Sequence, residues 1–72
     1  MDERHITLRR DGRWQIINPL RREVCLIVET QAEAVERATR ALRSAGGGRL
    51  LVYDPDGGTG VSQTVEPGPI TG

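Results

Sequence analysis

EVCLIVETQAEAVERATRALRSA, residues 23–45, is the stretch whose reading decides the fold. Its first seven residues, Glu23 to Glu29, read as a strand. The middle of that strand, Val24-Cys25-Leu26-Ile27-Val28, does not alternate and is apolar on both faces. Thr30 then opens a helix as N-cap, and Glu33 three positions later completes a Thr-x-x-Glu capping box. The helix is predicted from about Gln31 to Ala45. Val35, Ala38, Leu42 and Ala45 fall on one stripe, widened by Ala34 and Ala41. Glu33–Arg37 and Glu36–Arg40 are i, i+4 pairs with the acid first, and Arg43 sits in the last turn, where the helix dipole favours a cation. Gly46-Gly47-Gly48 ends the helix, with one of these glycines left-handed.

Upstream, His5 to Arg10 alternates, with Ile6 and Leu8 on one side and His5, Thr7 and Arg9 on the other, as a half-buried strand does. Asp11-Gly12 is a hairpin signal leading into a second strand, Arg13 to Asn18, with Trp14 and Ile16 on one face and Gln15 and Ile17 on the other. Asn18-Pro19 starts a longer loop through Leu20-Arg21-Arg22. Downstream, Arg49 to Tyr53 is a fourth strand, again apolar on both sides. Asp54 to Gly60 is turn chemistry throughout, and Val61 to Val65 alternates as a short fifth strand. The predicted fold is α+β: a three-stranded antiparallel meander, one helix on one face, and one or two further strands, the fourth parallel to the first and third. One domain spans residues 1–65, and residues 66–72, with two Pro and two Gly, read as a flexible tail.

Composition bounds what such a domain can be. Ile, Leu and Val fill 17 of 72 positions, just above the roughly 20% below which chains stay disordered. A core this thin calls for help from disulfides, a metal or a second copy. Cys25 is the sole cysteine, so it can bridge only to another chain, and one His with one Cys cannot complete a structural zinc site. Oligomerisation is the option left. Ten arginines and no lysine balance ten acids, so the global field pulls toward neither nucleic acid nor membrane. The charge runs +2 over residues 1–28, +1 over 29–49 and −3 over 50–72. There is no 18-residue apolar run and no apolar signal core behind Met1-Asp2-Glu3, so a soluble, cytoplasmic protein is expected.

One helix covers one sheet face. That face is expected to bury Ile6, Leu8, Trp14, Ile16, Val24, Leu26 and Val28. The other face then carries Ile17, Cys25 and Ile27, with either Leu51 and Tyr53 or Leu50 and Val52. Left wet, such a group approaches the size at which exposed patches mark interaction sites. The expected answer is a homodimer whose interface comprises Ile17, Cys25, Ile27, Leu51 and Tyr53. The competing answer is that the fifth strand and the tail (Val65, Pro67, Ile70) fold over that face.

Catalytic chemistry is thin. A nucleophile needs a base within reach, yet His5 and Cys25 lie on the first and third strands with the second between them. His5 reads as a surface strand residue and Cys25 as a small apolar one. Asp54 and Asp56 flank a turn proline and read as turn formers, with a weak cation site as the lesser reading. Gly46–Gly48 follows the helix, whereas a phosphate loop precedes one. No catalytic residue, cofactor, metal or small-molecule substrate is expected, and the chain is not expected to be an enzyme. Arg9, Arg10, Arg13, Gln15, Arg21 and Arg22 lie in or between the first three strands. They are candidate contacts to nucleic acid, since a three-stranded sheet can enter a major groove. The zero net charge argues against that partner.

Asp11-Gly12-Arg13-Trp14, Thr30-Gln31-Ala32-Glu33-Ala34, Gly48-Arg49-Leu50-Leu51-Val52 and the Asp-x-x-Gly turn from Asp54 to Gly57 together resemble small bacterial domains grouped as Domain of Unknown Function 2188. The likeness runs from about His5 to Val65. It implies a strand-rich α+β module without an assigned activity, and it carries no catalytic residue. A weaker likeness, through Gly12, Trp14, Thr30, Glu33 and Ala34, is to the arm-site DNA-binding domain of tyrosine recombinases, and speaks to architecture more than to DNA.

Overall fold

A computed structural model describes residues 2–53 and 59–68. Of the predicted turn from Asp54 to Gly60, residues 54–58 lie outside it, as do residues 69–72, whereas Thr59 and Gly60 belong to a strand rather than to the turn. The elements are β1 (Asp2–Leu8), β2 (Trp14–Asn18), β3 (Glu23–Val28), α1 (Gln31–Ser44), β4 (Gly48–Tyr53) and β5 (Thr59–Val65). They form one mixed sheet in the order β3-β2-β1-β4-β5. The pairs β1–β2, β2–β3 and β4–β5 are antiparallel, and β1–β4 is parallel. The α+β meander with a helix and two further strands is as expected. Strand β1 begins three residues earlier than its alternation suggests, because Asp2 pairs with Gly48 across the parallel seam. Arg9 and Arg10 are left to the turn.

The helix forms for the local reasons legible in its sequence. The Thr30 hydroxyl accepts from the Glu33 amide at 3.1 Å, and the two i, i+4 pairs are made at 3.9 Å (Glu33–Arg37) and 3.3 Å (Glu36–Arg40). Ala34, Ala38 and Leu42 are fully buried, and the two alanines allow close approach to the sheet. Ala41 and Ala45, expected on the stripe, are exposed. Ala45 is the C-cap, and its amide closes the last turn on the carbonyls of Ala41 and Leu42. Gly46 and Gly47 are both left-handed (φ +98° and +95°), and the Gly47 amide donates to the Leu42 carbonyl at 2.7 Å.

Beneath the helix, Ile6, Ile16, Val28, Leu50, Val52 and Val65 complete the core. Burial of Leu50 and Val52 settles the parity of β4, so Leu51 and Tyr53 face away from the helix. Strand β3 departs from expectation. Ile16 pairs with Leu26 but Ile17 pairs with Val24, so a bulge leaves Cys25 as the extra residue. The bulge carries Val24 to the Ile17 side, off the helix face on which simple alternation placed it. After β5 the chain turns toward the helix: the Gly68 amide donates to the Arg43 carbonyl at 3.3 Å. Residues 66–68 therefore lie by the helix end rather than across the open face, and Val65 is buried on the helix side. Ile70 lies outside the described residues.

Candidate functional site

The face opposite the helix is the region where chemistry and exposed apolar surface meet. The registers place its residues in rows across the strands. One row runs Val24, Ile17, His5, Leu51 and Ser62; the next contains Ile27, Gln15 and Thr7. Of the five residues expected at an interface, Ile17, Ile27, Leu51 and Tyr53 share this face, and Cys25 is exposed at the bulge. They do not form one uninterrupted patch. Ile17, Ile27 and Val24 cluster at the β2–β3 end, whereas Leu51 and Tyr53 lie across β1, beyond His5 and Thr7.

His5 is more than a surface strand residue. Its Nε2 meets the Glu3 carboxylate at 2.5 Å, and its Nδ1 lies 3.4 Å from the Tyr53 hydroxyl. The His5 and Tyr53 rings pack edge to face with centroids 5.3 Å apart. In the tautomer protonated at Nε2, the imidazole donates to Glu3 and accepts from Tyr53. Glu3 follows from the i, i+2 spacing of a strand. Tyr53 does not, because only the parallel pairing of β1 with β4 brings it near. This trio lies on an open face, away from a hollow of about 420 Å³ lined by Leu8, Arg9, Arg10, Asp11 and Gln15.

That hollow sits at the β1–β2 turn, where a second polar chain runs. The Arg9 guanidinium donates to Asp11 (3.3 Å) and to Gln15 Oε1 (3.2 Å), and Gln15 Nε2 donates to the Thr7 hydroxyl (3.0 Å). The Arg13 amide donates to Asp11. That hydrogen bond, with smaller help from the Arg9 and Arg13 guanidinium groups, holds the Asp11 carboxyl below its usual range. Asp11 thus fastens the hairpin above the ordinary carboxylate pKa, and its contribution is lost as pH falls below that value.

The six candidate nucleic-acid contacts do not converge. Arg9, Arg10, Arg13 and Gln15 lie at the β1–β2 end. Arg21 and Arg22 lie in the β2–β3 turn, separated from the first group by the length of β2, roughly 17 Å. Arg13 pairs with Glu29 at 3.3 Å, and Arg9 with Asp11. Arg10, Arg21 and Arg22 form no ion pair among the described residues. No group of three or more His, Cys, Asp or Glu arranged to hold a metal occurs among the described residues, and no described helix is long and apolar enough to cross a membrane.

A family model described as "Uncharacterized protein conserved in bacteria (DUF2188)" matches residues 4–64. The chain belongs to DUF2188. The match takes in all of β2, β3, α1 and β4, five of the seven residues of β1 and six of the seven of β5, so the residues of the open face in this DUF2188 chain fall inside it, Glu3 excepted. No curated protein and no solved structure matches the chain.

Proposed function

We propose that this chain is a non-catalytic interaction module of the bacterial cytoplasm that self-associates through the sheet face away from the helix. The observation that carries this reading is the side-by-side placement of Ile17, Val24 and Ile27, with Leu51 and Tyr53 further along the same face, over which no described segment of the chain folds. Burying a Val, Leu or Ile side chain contributes about 1.5–3 kcal/mol before association costs. A two-fold pairing counts every such residue twice. His5, Glu3, Thr7 and Gln15 satisfy one another within the face, which lowers the cost of removing them from water.

Light scattering over a concentration series tests the reading. A dimeric mass is expected for the native chain, and a monomeric mass for Ile27→Lys with its helical circular dichroism intact. A native chain that stays monomeric throughout overturns it. The second reading is a nucleic-acid-binding sheet, favoured only by the absence, among the described residues, of ion pairs at Arg10, Arg21 and Arg22. It requires duplex DNA binding that collapses between about 50 and 200 mM salt. The interaction-module reading expects no binding at either concentration.

A further inference from the structure

We propose that the Tyr53 hydroxyl is an acceptor site for acyl groups, with His5 taking its proton and Glu3 holding His5 in position. The site takes up one group per chain and turns nothing over, and it does not depend on self-association.

A hydroxyl nucleophile needs a base within hydrogen-bond reach and a third group that orients the base. Tyr53, His5 and Glu3 supply that relay from two interior strands of the sheet. His5 Nδ1 lies 3.4 Å from the Tyr53 hydroxyl, and its Nε2 lies 2.5 Å from the Glu3 carboxylate. An ionised carboxylate only accepts, so Glu3 fixes the imidazole proton on Nε2 and leaves the Nδ1 lone pair toward the phenol. The contact to Tyr53 is long, as contacts to a base are before a substrate tightens them. Edge-to-face packing of the two rings keeps them in this relation, and the β1–β4 ladder fixes the strands beneath. The His5 and Glu3 side chains retain 20% and 35% of their exposure, and Tyr53 is half-buried. A small molecule can reach the relay, yet the relay is partly withdrawn from water.

The surroundings select the class of group. In its row across the strands His5 stands between Ile17 of β2 and Leu51 of β4. Arg49, the cation of β4, stands opposite Glu3, four positions along the strand from Tyr53. An uncharged carbonyl carbon suits this position better than a phosphoryl group, whose transfer relies on cations placed around its oxygens. The donor is therefore an activated ester or thioester. The Tyr53 oxygen bonds to the carbonyl carbon as its proton passes to His5 Nδ1, and Glu3 stabilises the imidazolium. The bond from that carbon to the leaving oxygen or sulfur then breaks. The leaving group carries off the electron pair and, from the imidazolium, the proton. The products are O-acylated Tyr53 and a free alcohol or thiol.

The test treats the full chain with p-nitrophenyl acetate at a fixed pH near neutrality and follows acetylation by mass spectrometry. The chain is kept dilute, so that self-association through the same face leaves Tyr53 uncovered. Cleavage after Arg49 releases residues 50–72, which hold Tyr53 and no His or Cys, so label there is told apart from label on His5 or Cys25. Tyr53 should be acetylated on the order of a hundredfold faster than N-acetyltyrosinamide, the low end of what a positioned base contributes. His5→Phe, which keeps a ring and removes the base, should bring Tyr53 down to the rate of that model compound. Glu3→Ala should slow the reaction, and its imidazole nitrogen NMR shifts should show the preference for the Nε2-protonated tautomer lost. A native chain whose Tyr53 reacts no faster than the model compound overturns the proposal without any variant. Label confined to Cys25 or His5 overturns it too, as does a His5→Phe chain that keeps its helical circular dichroism and the native rate. A tautomer and rate unchanged in Glu3→Ala overturn the relay.

Discussion

Gly48 shows how far one residue can fix the fold. It opens β4 where the helix, the first residues of β1 and the new strand converge. A Cβ there would run into the Asp2 carbonyl and lie 2.9 Å from Leu42 Cδ2. The backbone on one side belongs to the parallel ladder and cannot yield cheaply, and Leu42 on the other is fully buried. Gly48→Ala should therefore destabilise by about 1–3 kcal/mol, the range for overpacking, measurable as a lower urea midpoint with unchanged slope. A variant as stable as the native chain would show that β1 can retreat from β4. Thr30 acts at the other end of the helix, and its cap is worth about 1 kcal/mol.

At the scale of elements, the helix is the part on which the rest of the core depends. A 14-residue helix is about 21 Å long, and only three of its side chains reach the interior fully. Leu42 is the largest of these, so Leu42→Ala should cost about 2–5 kcal/mol. That is a large share of the roughly 5–15 kcal/mol by which a domain is stable, and it should lower the melting temperature markedly. The same element explains what sequence alone reveals and what it hides. Capping, ion-pair spacing and the Gly46-Gly47 stop are local, so the helix was legible almost to the residue. The alternating strands β1 and β2 were legible too, as were their faces. Val24 was misplaced because a bulge adds one residue without any mark in an apolar run. Leu8 and Leu26 were expected in the core but are 38% and 39% exposed, Leu8 because it ends β1 at the turn and Leu26 because it lies on the outermost strand beside the bulge. The Glu3–His5–Tyr53 trio was hidden for another reason. It depends on β4 lying beside β1, and strand order is a tertiary fact that periodicity does not encode.

At the scale of the molecule, a thin core and an uncovered face belong together. Binding that requires the folded state adds to its stability by mass action. Self-association through the open face should make the melting temperature rise with protein concentration, and Ile27→Lys should flatten that dependence. A melting temperature independent of concentration in the native chain would place its whole stability within one copy. The parallel seam has a further consequence. Strand β1 is first in the chain yet sits at the middle of the sheet, and its neighbour β4 arrives only after the meander and the helix. On the ribosome, β1 must wait with one side unpaired until more than forty further residues have emerged. Such a late, non-local closure slows folding and leaves an open edge liable to capture by other chains. Any chaperone that attends this domain in the cell should find its work in that interval, before the last two strands are made.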